Sequence, residues 1–204
     1  MTQAWGLGVL AVAGLCLARP AVAQTAGPVS GHVLDVRIAT ATLPTDPTFY
    51  PALANDTLIP GRSWGGEVGG AVYPWQWGPA RIGVGGSVLR TRGTSSLAGA
   101  DAIVANVTAV SSQVSFNFGT RLGWSYLGGG LGSGTISTEV TDVNAKVGTA
   151  KTGQQLALNV GGGARWFTRS RLALSLDARL HRLGGGSTTP GASLLVVSAG
   201  LSLR

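Results

Sequence analysis

The stretch Arg171-Leu172-Ala173-Leu174-Ser175-Leu176-Asp177-Ala178-Arg179-Leu180-His181-Arg182 decides the fold. Leu172, Leu174, Leu176, Ala178 and Leu180 fall on one face of an extended strand; Ala173, Ser175, Asp177, Arg179 and His181 fall on the other. A soluble sheet would show the same alternation with its apolar face in a core and its charges in water. A membrane β-barrel turns it round, with leucines to lipid and the Asp-Arg-His file into the lumen. The rest of the chain favours the barrel.

Seven further segments alternate in the same way. They run over 32–40, 64–73, 81–91, 106–118, 124–138, 154–167 and 192–203, and 171–182 is the seventh of the eight in chain order. Short links at 74–80, 119–123 and 168–170 alternate with longer, more polar connections at 41–63, 92–105, 139–153 and 184–191. Tight turns at one end and long loops at the other, with an even strand count, are the arrangement of outer-membrane barrels. Both chain ends then lie on the short-turn, periplasmic side. Trp75, Trp77, Trp124, Tyr126, Trp166 and Phe167 cluster at the short links, so all six are expected in the periplasmic girdle between lipid and water.

The ends and the composition agree with export. An apolar run from Leu7 to Ala18, then Arg19-Pro20 and Ala21-Val22-Ala23, reads as a signal peptide over residues 1–23, cleaved after Ala23. Residues 24–31 form a short periplasmic segment and 32–204 the barrel. The sole cysteine, Cys16, lies in the signal and follows Leu15 rather than a small residue, which argues against a lipoprotein. The exported chain therefore has no disulfide and no thiolate metal site. Only 11% of residues are charged, 33 are glycine, and mean hydropathy is +0.28. The net charge of +7 is spread singly along the chain without a basic cluster or aromatic stacking motif, so nucleic-acid binding is not expected.

Ser112-Gln113-Val114-Ser115-Phe116-Asn117, Tyr126-Leu127-Gly128-Gly129-Gly130-Leu131-Gly132 and Gly161-Gly162-Gly163-Ala164-Arg165-Trp166-Phe167, with 172–179, resemble the small outer-membrane β-barrel domain family. These barrels are eight-stranded and similar to OmpA-like and OmpX-like proteins. The resemblance is clearest over 105–204. It implies an all-β, antiparallel, up-and-down transmembrane barrel and carries no catalytic signature. Such barrels usually end on an aromatic that the barrel-assembly machinery reads, whereas this sequence ends Gly200-Leu201-Ser202-Leu203-Arg204.

Strand parity points Asp35, Arg37, Glu67, Arg81, Gln113, Asn117, Arg165, Asp177, Arg179 and His181 inward. Unpaired charges in a narrow barrel are costly to desolvate, so these residues should form a hydrogen-bonded network that plugs the lumen. Inward glycines, among them Gly83, Gly85, Gly128, Gly130, Gly132, Gly161 and Gly163, make room for long side chains.

Catalysis is not expected. Ser175 and His181 lie too far apart along one strand for a nucleophile pair. Barrels that deacylate lipid carry a close His-x-Ser pair, and neither His32 nor His181 has one. Two histidines and no exported cysteine make no metal set, and no cofactor is implied.

The sequence thus describes an outer-membrane barrel with a structural or interaction role, its partners being lipid, the assembly machinery and a possible extracellular partner at the loop over 41–62. The rival readings are a narrow porin or transporter of small apolar molecules, which needs an apolar outer lumen, a lipid-modifying envelope enzyme, and a soluble secreted β-barrel or sandwich.

Overall fold

The computed structural model describes residues 29–51, 59–96, 102–141, 144, 147–168, 171–185 and 191–204. The signal-peptide reading falls on residues outside these. Nine strands follow in order: β1 (His32–Thr42), β2 (Arg62–Trp77), β3 (Ala80–Ser96), β4 (Ala102–Thr120), β5 (Gly123–Thr141), β6 (Val147–Lys151), β7 (Gln155–Phe167), β8 (Leu172–Leu183) and β9 (Ala192–Leu203). All pairings are antiparallel and join chain neighbours, except that β7 pairs with β5 rather than with β6, and β1 pairs with β9, which closes the sheet on itself.

The nine strands make eight staves. β6 and β7 both pair with β5, β6 along 137–141 and β7 along 123–134, so together they form one broken stave. The sequence reads this as a single strand over 154–167. At the break Thr152 takes the place of the missing ladder: its hydroxyl accepts from the Ile136 N–H at 2.9 Å and donates to the Ile136 carbonyl at 3.2 Å.

Register fixes the shape. Starting at Asp35 and stepping across Gly69, Ser87, Ser111, Gly132, Ala157 and Leu183, the circuit arrives on β9 at Ala192. Asp35 itself faces Ser202, ten residues further on. That stagger tilts the strands to about 35–45° from the axis.

The turns are tighter and the strands longer than the sequence suggests. Gly78-Pro79 and Arg121-Leu122 alone join β2 to β3 and β4 to β5. Gly78 sits at φ +56°, a conformation that glycine adopts without strain. Pro74 cannot donate to the ladder, and a bulge between Val72 and Trp75 carries the strand past it. At the other end, residues expected in loops over 92–105 and 139–153 continue the β3–β4 and β4–β5 ladders to Ser96↔Ala102 and Ala102↔Thr141. β-branched Thr94, Ile103, Val104 and Val140 keep the pleat favourable there.

The barrel is inside-out. Leu34, Val36, Ile38, Val68, Val72, Val84, Val88, Val110, Val114, Leu127, Leu158, Leu174 and Leu201 all face outward and are exposed. Charged Asp35, Arg37, Glu67, Arg165, Asp177 and Arg179 are all within 6% of full burial.

Candidate functional site

The lumen is layered along its axis. At the turn end Val29, Val33, Tyr73, Trp124, Tyr126, Phe167 and Ala173 form one apolar cluster. Trp124 stacks on Phe167 at 4.9 Å between centroids and meets Tyr73 edge-on at 5.9 Å. Trp124, Tyr126 and Phe167 therefore do not belong to an outer girdle. Their parity decides this: Trp124 and Tyr126 share a face with Gly128 and Gly130, and Phe167 shares one with Arg165. Trp75, Trp77 and Trp166 do point outward, with Trp77 69% exposed.

Above this cluster lies the charged layer. Arg165 donates from Nε at 3.0 Å and Nη2 at 2.6 Å to the two oxygens of Asp35, a bidentate pair 130 residues apart in sequence. Ser202 Oγ also donates to Asp35, and Arg37 Nη2 lies 2.8 Å from its Oδ2. Arg37 continues to Glu67 at 3.3 Å, and Glu67 accepts from Ser198 Oγ at 2.9 Å. A second bidentate pair joins Arg179 to Asp177 at 2.9 and 3.2 Å, and Arg179 also donates to Asn159 Oδ1 at 3.1 Å.

Tyr126 ties the two halves together. Its hydroxyl donates to Asp177 at 2.5 Å and accepts from Arg37 at 3.3 Å, and the Arg165 guanidinium lies over its ring at 4.4 Å. Three carboxylates thus meet three arginines, and the layer is electrically balanced. Each charge is nearly buried yet keeps hydrogen-bond partners, the condition under which buried ion pairs persist. Beside it is a cavity of about 30 Å³, lined by Glu67, Ser87, Gln113, Ser115 and others, room for one or two waters.

The remaining inward residues stand apart from this layer. Arg81 donates to the Val29 carbonyl at the turn end, and Asn117 donates to the Arg81 carbonyl at 3.0 Å. Gln113 donates to Ser87 at 2.8 Å. His181, opposite Asn159 on β7, has a buried Nδ1 without a partner.

Toward the loop end the lumen turns apolar. Ile103, Ala105, Val107, Ile136, Val140, Ala157, Leu183, Ala192 and Leu194 enclose Leu43, Phe49 and Tyr50. Phe49 and Tyr50, 3% and 6% exposed, therefore fold into the mouth of the barrel rather than out toward a partner. A short 3-10 turn, Pro47–Phe49, aims them there, capped by Asp46, which accepts from the Thr48 N–H at 2.9 Å. Those bonds hold the Asp46 carboxyl below its usual range. The Phe49 carbonyl accepts from Thr138 at 2.7 Å, and the Tyr50 hydroxyl donates to the Pro44 carbonyl at 2.9 Å. Burial pushes the Tyr50 phenol up to about 12. An apolar outer lumen is what a carrier of apolar molecules needs; here aromatic side chains of the chain itself occupy it.

A closed eight-stave antiparallel barrel with a charged interior and an apolar exterior defines the fold of small outer-membrane barrels. Similar solved structures are Ail, the attachment invasion locus protein of Yersinia pestis, and Neisserial surface protein A. Ail matches with a TM-score of 0.58 at 12% identity, over 86% of this chain and 99% of its own. Neisserial surface protein A matches at 0.58 and 15%, over 86% and 97%. Ail in complex with the heparin analogue sucrose octasulfate gives 0.53 at 13%, over 85% and 99%. No family model and no curated protein matches the chain.

Proposed function

We propose that this chain is an outer-membrane barrel without enzymatic activity, plugged against ions, that works through the surface it presents at its loop end. One observation carries the reading: the outward face is a continuous apolar belt while the charges are buried. Such a belt far exceeds the exposed apolar patches soluble monomers tolerate, and lipid is the solvent that suits it. Outward Trp75, Trp77 and Trp166 at the turn end fit the periplasmic interface, and the long connections then lie outside the cell.

Two features support the plug: the balanced ion-pair layer and the Phe49–Tyr50 insertion above it. The partners are outer-membrane lipid, the barrel-assembly machinery and a molecule met at the cell surface. Since Phe49 and Tyr50 are committed inward, the exposed run Thr45-Asp46-Pro47-Thr48 is what the described part of the first loop offers to such a molecule. That Ail, a barrel of similar fold, has a crystal structure in complex with the heparin analogue sucrose octasulfate supports an interaction role.

The test pairs two measurements. A purified outer-membrane fraction run heated and unheated should show a band that shifts on boiling, and the protein in planar bilayers should pass no steady current. A soluble periplasmic protein without the shift overturns the placement, and a steady ohmic current overturns the plug.

A second reading, sideways passage of small apolar molecules, draws on the apolar outer lumen and on the edge of β6, which no strand pairs among the described residues. It requires Phe49 to leave the mouth. Loss of uptake of an apolar probe when Phe49 is cross-linked to β5 would favour it.

A further inference from the structure

The outward faces of β2 and β3 change character abruptly near the loop end. Below lie Val68, Val72, Val84 and Val88; above lie Arg62, Arg90 and Arg92, all exposed. Register places Arg92 next to each of the other two. Arg92 faces Trp64 and Arg90 faces Gly66, so Arg62, one pleat above Trp64, sits diagonal to Arg92. Arg92 is thus about 7–8 Å from each of the others, and Arg62 and Arg90 are about 14 Å apart at the backbone, within reach of one ligand bound by long side chains.

Among the described residues no carboxylate lies on the outward faces of the two flanking strands; the nearest, exposed Glu139, faces Val104 from β5, one strand further round, and makes no ion pair. The outward neighbours are Ile38, Thr40 and Thr42 on β1 and Val104, Asn106, Thr108 and Val110 on β4, while Asp35 and Glu67 point inward. None of the three arginines has an ion pair or hydrogen bond among the described residues. Arg182, another outward arginine, differs in donating to Ser193 Oγ at 2.9 Å. Three like charges gathered here without a counter-ion among the described residues favour an anion from outside the chain.

Their height names the source. From Ile82, which faces Trp75, to Arg90 is eight residues along β3. At ~3.3 Å per residue and a tilt near 40°, that raises Arg90 about 20 Å above the lower tryptophans. The apolar band of such barrels is about 25 Å tall, so long arginine side chains reach its upper interface, where headgroup phosphates lie. Trp64, 62% exposed between them, is a residue typical of that depth.

We propose that Arg62, Arg90 and Arg92 form a binding site for the phosphates of a glycolipid in the outer leaflet. Charge matching favours phosphate monoesters: each carries about −1.5 to −2, so two of them balance three guanidinium groups better than one phosphodiester does. The planar guanidinium suits bidentate contact with their oxygens. The inference rests on the outer-membrane placement proposed above.

The test places the full-length barrel in phosphatidylcholine nanodiscs containing a bisphosphorylated acylated disaccharide lipid and measures how much of it stays on the extracted protein across a concentration series. Removing each arginine should weaken retention about fivefold, so the triple variant R62Q/R90Q/R92Q should lose nearly all of it. R182Q, which makes the same single change in charge, should match the wild type.

Equal retention by the triple variant, by the dephosphorylated lipid or by phosphatidylglycerol would overturn the site, as would an equal loss in R182Q. Should the triple variant fail to fold, R90Q and R92Q tested singly carry the same expectation. The heat-shift assay on the same samples separates the two ideas. Protein that does not insert overturns the placement, whereas protein that inserts without preferring the phosphorylated lipid overturns only the arginine site.

Discussion

Tyr126 shows how much a single inward residue holds. Its hydroxyl joins Asp177 to Arg37, and its ring lies under Arg165. Tyr126→Phe keeps the ring and removes both bonds, leaving buried charges short of a partner, so it should lower stability by about 1–3 kcal/mol. Asp35→Ala should cost more, about 3–5 kcal/mol, because Arg165 and Arg37 would keep their charge with its main partner gone. Urea unfolding of vesicle-inserted protein checks both, and the order of the two is the informative result. Gly163 is needed for space: a methyl there would lie 2.7 Å from the Tyr126 hydroxyl and against the Leu176 carbonyl. At this scale much was legible. Parity alone pointed Asp35, Arg37, Glu67, Arg165, Asp177 and Arg179 inward, since a period of two leaves no choice of face. The same parity held for Trp124, Tyr126 and Phe167, where closeness to the turns misled. Which arginine pairs with which acid was not legible, because Arg165 and Asp35 meet only through the closure of the barrel.

Among the elements, the broken stave and the first loop departed furthest from expectation, and for one reason: both depend on contacts distant in sequence. The break between β6 and β7 lacks a strong local signal beyond Gly153, yet Thr152 there satisfies both backbone groups of Ile136. Thr152→Val keeps the shape and the bond from the Thr152 N–H to the Ile136 carbonyl but orphans the Ile136 N–H, so a loss of about 1–3 kcal/mol in the same urea assay is expected. The loop's proline-rich, polar composition suggested a solvated segment, and only the apolar mouth formed by β4, β5, β8 and β9 explains why Phe49 and Tyr50 turn inward. The raised phenol of Tyr50 makes this testable. Its neutral form supports the folded loop fully below pH 10, where a free tyrosine titrates, and that support is lost as pH climbs through about 12. An ultraviolet difference titration of wild type against Tyr50→Phe should show the missing tyrosine ionising near 12, and ionisation near 10 would place it in water.

For the whole molecule, the exterior is the decisive property. Val36, 62% exposed midway along β1, would tolerate arginine if water lay outside. In a bilayer, Val36→Arg near the midplane should cost about 2–4 kcal/mol, measured by equilibrium unfolding from vesicles. The fold class and the stave count were legible because eight alternating segments repeat one pattern. The layering of the lumen was not, since it emerges only when the strands take their ten-residue stagger.

The bond from Ser202 to Asp35 has a kinetic meaning. Asp35 lies near the start of the first strand and Ser202 near the end of the last, 167 residues apart, and Ser198 reaches Glu67 across the same seam. Until that seam joins, the acids at the heart of the protein stay incompletely matched. A slip of one residue along it would turn the serines toward lipid and set leucines against the acids. The charged interior therefore favours one register of the final strand, the one whose serine hydroxyls complete the hydrogen bonding of the seam's acids before the chain leaves water.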